Sequence, residues 1–168
     1  MPVTSSGTAK VTLPADDQIL ITREFDAPKH LIFKAVTTPE LVKRWWHANR
    51  GEVQIAEIDL RPGGKWRYVS VTPDGTEVGF HGEYLEIVPN ERLVSTEIYE
   101  GVPQPEDGPE EGTVNTITLA EREDGRTTLT VLVQAPSKEV RDAIIDSGME
   151  AGMQDAYDLL EQVAISLR

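Results

Sequence analysis

The stretch Asp59-Leu60-Arg61-Pro62-Gly63-Gly64-Lys65-Trp66-Arg67-Tyr68 reads as strand, turn, strand. Proline fixes φ and the two glycines accept backbone angles that other residues resist, so the chain must reverse at 62–64. Side chains alternate along the strand that leaves the turn. Trp66 and Tyr68 therefore share one face, and Lys65 and Arg67 share the other, which should meet solvent. Working outward, Val53 to Leu60 precedes the turn and Lys65 to Thr72 follows it. Pro73-Asp74-Gly75 then turns the chain into a strand over Glu77 to Val88. Pro89-Asn90 leads to Arg92–Tyr99, and a hairpin about Glu123-Asp124-Gly125 joins 113–122 to 126–134. Consecutive strands joined by short turns are antiparallel.

Helices flank this run. Ile19 to Phe25 alternates as a first strand. Asp26 is placed to cap a helix whose first turn holds Pro28 and whose stripe is Leu31, Ile32, Ala35 and Val36. Thr38-Pro39-Glu40 opens a second short helix carrying Leu41, Val42, Trp45 and Trp46. Pro136-Ser137 caps a last helix that keeps Val140, Ile144, Gly148, Gly152, Ala156, Leu160, Val163 and Leu167 on one face to the chain end, with Met149, Met153 and Tyr157 on its flank. The two glycines cost about 1 kcal/mol each against alanine, which invites a kink. The expected fold is α+β. A curved antiparallel sheet of six to seven strands wraps around a long C-terminal helix, with two short helices after the first strand. Residues 1–15 are expected to be a loose tail and 16–168 a single domain. Residues 101–112 form an acidic, proline-rich loop.

Composition limits the function. Sixteen Lys and Arg stand against 29 Asp and Glu, a formal charge of −13. Phosphate backbones and anionic lipid repel such a chain, which argues against nucleic-acid and membrane-surface roles. There is no cysteine, so thiolate catalysis, disulfides and Cys-ligated metals are out. No apolar run reaches the roughly 18 residues of a spanning helix. The N-terminus lacks the basic start and apolar core of a signal peptide, so the expected location is the cytoplasm.

The chain resembles the helix-grip superfamily (SRPBCC) that includes START lipid-transfer domains, polyketide cyclases and the birch-pollen allergen. Within it, the chain resembles bacterial homologues of the activator of the heat-shock-protein-90 ATPase. The resemblance spans residues 18–167. It rests on Ile21-Thr-Arg-Glu-Phe-Asp-Ala-Pro28, Pro39-Glu-Leu-Val-Lys-Arg-Trp-Trp46 and the 59–68 turn. It continues in Gly82-Glu-Tyr-Leu-Glu-Ile-Val-Pro89, Arg92-Leu-Val94 and Gly148-Met-Glu-Ala-Gly-Met153 with Tyr157 and Leu160. It implies a cavity between sheet and terminal helix that takes an apolar small molecule, and it supplies no shared catalytic residues.

The candidate ligand-binding residues are Trp46, Trp66, Tyr68, Phe80, Tyr84, Tyr99, Met149, Met153 and Tyr157. Trp66 is expected to line the cavity, and Gly82 lies between two aromatics where a ligand could rest. Three histidines are present: His30, His47 and His81. Only His81 suggests chemistry, as an acid–base partner of Glu83 or Glu97. Metal binding needs three converging ligands, and none is read here; no cofactor is expected. Asp59 and Arg61 read as an ion pair at the turn. The functional expectation is a small-molecule binding protein, monomeric or dimeric, more readily than an enzyme. The alternatives are a cyclase- or hydro-lyase-like enzyme using the same cavity, with His81 or Glu97 as its catalytic group, and a chaperone-interacting protein.

Overall fold

A computed structural model describes residues 3–4, 9–46, 51–101 and 112–168. Its nine strands are β1 (Val3–Thr4), β2 (Lys10–Thr12), β3 (Gln18–Phe25), β4 (Glu52–Ile58), β5 (Lys65–Val71), β6 (Glu77–Val88), β7 (Arg92–Tyr99), β8 (Thr113–Glu121) and β9 (Thr127–Gln134). They form one sheet in the order β1-β2-β3-β9-β8-β7-β6-β5-β4, with every neighbouring pair antiparallel. Helices α1 (Lys29–Thr37) and α2 (Pro39–Trp45) follow β3, and α3 (Lys138–Asp146) and α4 (Met149–Ser166) close the chain. This is the helix-grip arrangement expected from the strand and helix order.

The Pro62-Gly63-Gly64 turn is fixed from outside as well as within. Gly63 has φ +83°. Its N–H donates to the Tyr84 carbonyl at 2.8 Å, and the Tyr84 N–H donates to the Gly64 carbonyl at 2.9 Å. A Cβ on Gly64 would lie 2.0 Å from the Asp59 carbonyl oxygen, so only glycine fits there. The Arg61 guanidinium donates to Asp59 Oδ2 at 2.8 Å in an exposed pair, as the sequence suggested.

Three expectations are corrected. Residues 9–12 are not a loose tail: Lys10–Thr12 pairs with β3, and Ala9 and Val11 are buried. The terminal helix is two helices, broken at Ser147–Gly148, because Gly148 takes φ +83° and starts α4 from the left-handed region. Its expected apolar face is incomplete, with Val140 exposed. Asp26 does not cap α1. That helix begins after Pro28 without a side-chain cap of its own, and Glu121 of β8 accepts from the Lys29 N–H at 3.1 Å instead. Ser137 caps α3 as expected, accepting from Val140.

The face of the sheet turned toward α4 is set by register. Ile19, Ile21, Arg23 and Phe25 of β3 share it with Leu129 and Val131 of β9 and Leu119 of β8, and all are buried. Helix α4 is tied to this face by a polar clasp. Arg23 donates to the Tyr157 carbonyl at 2.9 Å and to Asp158 at 2.9 Å, and lies within 3.3 Å of Glu161. Its guanidinium also covers the Phe25 ring at 4.4 Å, a contact that shields the buried cation. Gln154 of α4 completes the clasp, exchanging two hydrogen bonds with the backbone of Ala9.

Candidate functional site

The aromatic wall expected from the 59–68 turn is present. Trp66 pairs with Gly82 and Tyr68 with Phe80 across β5 and β6, and Tyr84 pairs with Ser95 of β7. All these residues therefore lie on the inner face. Lys65 and Arg67 lie on the outer face, as expected. Trp46, at the end of α2, closes over the wall with its ring 5.4 Å from Tyr68 and 5.5 Å from Phe80. Trp66 itself is packed. Only 6% of it is exposed, its ring is 4.7 Å from Tyr68, and its indole N–H donates to the Thr96 carbonyl at 3.1 Å. A Cβ on Gly82 would lie 1.8 Å from that carbonyl and 2.7 Å from Trp66 Nε1. The space beside Gly82 is thus filled by Trp66, which packs within the core cluster and also lines a groove. Tyr99, 45% exposed, stacks on Phe80 at the rim.

Beyond this wall the inner face is not fully covered. Ser95 and Glu97 of β7, Asn115 and Ile117 of β8 and Val133 of β9 all face inward by register. All five are only half-buried, while Leu93, Leu119 and Val131 on the same face are buried. Across from the sheet, Met149, Met153 and Tyr157 of α4 are also half-buried. A Cβ added to Gly152, on the Ala156 side of α4, would meet nothing within 4 Å. A packed core leaves no such exposure; over the middle of β7 and β8 the inner face is incompletely covered.

Glu97 gives this region its polarity. It is half-buried, and desolvation raises its pKa above the usual carboxylate value, opposed by the neighbouring Asn115 amide. Burial first of all holds the Tyr68 and Tyr157 phenols up; for Tyr68 the neighbouring Tyr84 comes next and the Glu97 charge last, and for Tyr157 the Glu97 charge comes next while Arg23 works in the opposite direction. Burial pushes Tyr84 up to about 12, with the neighbouring Tyr68 working in the opposite direction. Two buried atoms beside the carboxyl, Asn115 Oδ1 and Thr113 Oγ1, have no hydrogen-bond partner among the described residues.

The suggested His81–Glu83 and His81–Glu97 pairs do not form. His81 faces outward, so Glu97 is on the opposite side of the sheet, and His81 Nδ1 meets Glu100 Oε2 at 2.8 Å. Arg67 grips both oxygens of Glu100 at 2.9 Å. These bonds, Arg67 first, hold the Glu100 pKa down to about 2. A groove of about 470 Å³ runs over this outer face between Lys65, Arg67, His81, Glu83, Thr96 and Ile98. Trp66 and Gly82 of the aromatic wall also line it. His30 is exposed, and His47 and residues 102–111 lie outside the described residues. Among the described residues there is no group of three or more side chains placed to hold a metal ion, and no helix is long and apolar enough to cross a membrane.

The family model for "Activator of Hsp90 ATPase homolog 1-like protein" matches residues 26–164. The chain belongs to that family. Solved structures share its fold across nearly their whole length. A Rhodobacter sphaeroides protein is 26% identical with a TM-score of 0.83, over 95% of this chain and 99% of that one. Protein Ms6760 from Mycobacterium smegmatis is 23% identical with a TM-score of 0.80, over 99% and 100%. The AHSA1-like protein from Aeromonas hydrophila is 17% identical with a TM-score of 0.66, over 88% and 93%. No curated relative matches the chain. The family's helix-grip architecture is consistent with the binding of an apolar ligand.

Proposed function

We propose that this protein binds a small, largely apolar molecule in the hollow between β7–β8 and α4. One observation carries the reading. In the middle of an otherwise packed inner face, Ser95, Glu97, Asn115, Ile117 and Val133 keep partial exposure opposite the two methionines and Gly152 of α4. Methionine supplies an adaptable apolar surface, and a few fixed polar groups within an apolar lining are the usual anatomy of a ligand site. Of the residues expected to bind ligand, Met149, Met153 and Tyr157 fit this role directly. Tyr68 and Tyr84 form its wall, and Trp46 and Phe80 border it. Native mass spectrometry of protein purified from its own cells, with displacement of a neutral polarity-sensitive dye, tests the reading. Uptake of dye that an apolar compound displaces is the expected result. A chain that takes up neither dye nor apolar compound overturns it.

A second reading, an acid–base enzyme, is favoured by Glu97 alone. Burial raises its carboxyl toward the range useful for proton transfer near neutral pH, and it faces the same hollow. His81 has no part in it. An enzyme of this kind loses turnover in Glu97→Gln while still binding substrate; retained turnover in that variant removes the reading.

A further inference from the structure

A surface helix normally buries its apolar side chains and leaves its charges in water. Helix α3 does the reverse. Of its nine residues the buried one is Arg141, 7% exposed, while the adjacent Val140 is 36% exposed. Ile144 and Ile145 are only half-buried. A local rule broken in this way points to a use for the segment.

The arginine is what docks α3. Its Nη1 donates to the Ala15 carbonyl at 3.0 Å and to the Gln18 carbonyl at 3.3 Å, and its Nε donates to Asp142 Oδ1 at 2.8 Å. Lys138 holds the other oxygen of Asp142 at 2.8 Å, which steadies the fork. The two carbonyls belong to a loop with supports of its own: the Gln18 N–H donates to Ala15, and the Asp17 carbonyl accepts from the Ala135 N–H at 2.8 Å. Helix α4 is likewise anchored without α3, by Gln154 on Ala9 and by Arg23 on Tyr157 and Asp158. Between the two helices Gly148 takes φ +83° with open space around its missing Cβ. The joint is therefore free to turn, and α3 can leave its seat without disturbing the sheet or α4. The seat is also weakly preferred. Undocking loses hydrogen bonds, yet it returns water to a cation that docking strips, so the two effects largely cancel.

We infer that α3 is a hinged flap, latched by Arg141, which swings away as a unit about Gly148 and admits small molecules to the inner face beside Met149 and Met153. These methionines follow the hinge directly on α4, and α3 lies against both β3 and α4. The flap stands on its own; its role as a gate rests on the small-molecule reading above.

Backbone hydrogen exchange tests the flap in wild type, R141M, R141K and V163A. Arg141→Met keeps an apolar stem and removes the donors. Val163→Ala, in the buried face of α4, is the control for a general loss of stability. In wild type, α3 amides are expected to exchange at least about a hundredfold faster than those at 160–164, as a locally opening unit does. R141M should speed α3 by about tenfold or more, the effect of losing bonds from a charged donor, and leave 160–164 within about twofold. R141K should restore part of the protection. V163A should give the opposite pattern, faster exchange at 160–164 with α3 little changed. Wild type and V163A alone already decide whether α3 opens separately. Stopped-flow mixing with the neutral dye reads the gate: R141M should raise association and dissociation rates together, by at least about threefold, with affinity held within about twofold. Exchange of α3 at the rate of 160–164, or an α3 rate that R141M leaves unchanged, overturns the flap. Separate opening of α3 with dye rates unmoved by R141M overturns the gate and leaves the small-molecule reading standing. Dye taken up by neither chain overturns that reading and the gate with it.

Discussion

At the scale of single residues, the burial of Trp66 and Gly82 makes a firm prediction. Trp66 is enclosed by Tyr68, Gly82 and the Thr96 carbonyl. Trp66→Ala should therefore cost about 3–5 kcal/mol, the usual range for a core tryptophan. Gly82→Ala forces a methyl into the Thr96 backbone and should cost about 3 kcal/mol or more, since a backbone carbonyl cannot swing aside as a side chain can. Denaturant melts measure both; a loss under about 1 kcal/mol for either would show that the strands part easily here. Two carboxyls give opposite pH dependences. Glu97 has a folded-state pKa above its ordinary 4.5 because of burial, so ionising it opposes folding. Its penalty is absent below 4.5 and grows as pH rises through the raised value. Glu97→Gln should then stabilise the protein at about pH 7 and change nothing at about pH 3; urea melts at both values decide it, and an equal gain at both rejects burial as the cause. Glu100 is the reverse. Its pKa is lowered from 4.5 to about 2, so its contribution is present above 4.5 and is lost as pH falls toward 2. Being largely at the surface, that contribution is small.

At the scale of elements, the two glycines of the terminal helices act in different ways. Gly148 sits at φ +83° with open space around its missing Cβ, so Gly148→Ala meets no clash and suffers only backbone strain, about 1 kcal/mol. Gly152 has helical backbone and open space too. Gly152→Ala should stabilise by about 0.5–1 kcal/mol. Gly152→Leu should leave stability nearly unchanged and weaken ligand uptake by filling the hollow; a variant that binds dye as well as wild type places the ligand elsewhere. The elements show which parts of the molecule were legible in the sequence. Turns with proline and glycine located β4 to β9 to within a residue or two, because their chemistry is local. The face of β7 was not legible. Its outward residues Val94 and Ile98 are buried and its inward residues include Ser95 and Glu97, so hydrophobic alternation points the wrong way. Only pairing with Tyr84 and Thr113 reveals it, and register is set by distant strands. That is also why Glu97 was matched with His81, which lies on the other side of the sheet, and why Asn115 and Thr113 carried no signal as separate polar residues.

At the scale of the whole molecule, the sheet and α4 hold each other through the N-terminal strands, which composition alone marks as dispensable. Met1 to Thr8 is small and polar, but Val11 behind it is 2% exposed and Ala9 is fully buried. The Ala9 N–H and C=O are both bonded to the Gln154 side chain, at 3.1 and 2.9 Å. Removing residues 1–12 therefore does three things at once. It uncovers the β3 edge at Leu20 to Thr22, it takes Val11 out of the core, and it leaves the buried Gln154 amide with neither of its partners. Burial of one valine and two lost hydrogen bonds to a buried amide predict a loss of at least about 3 kcal/mol. The exposed edge should also promote association through strand pairing. Because Gln154 follows Met153 directly and lies about one turn from Tyr157 on α4, loosening it should lower ligand uptake in the same truncated chain. Thermal melts, sedimentation and dye binding on the truncated and full chains measure these effects together. A truncated chain that melts within a few degrees of full length and stays monomeric would mean that β2 is an ornament on the sheet and that Arg23, with Asp158 and Glu161, is sufficient to hold the helix.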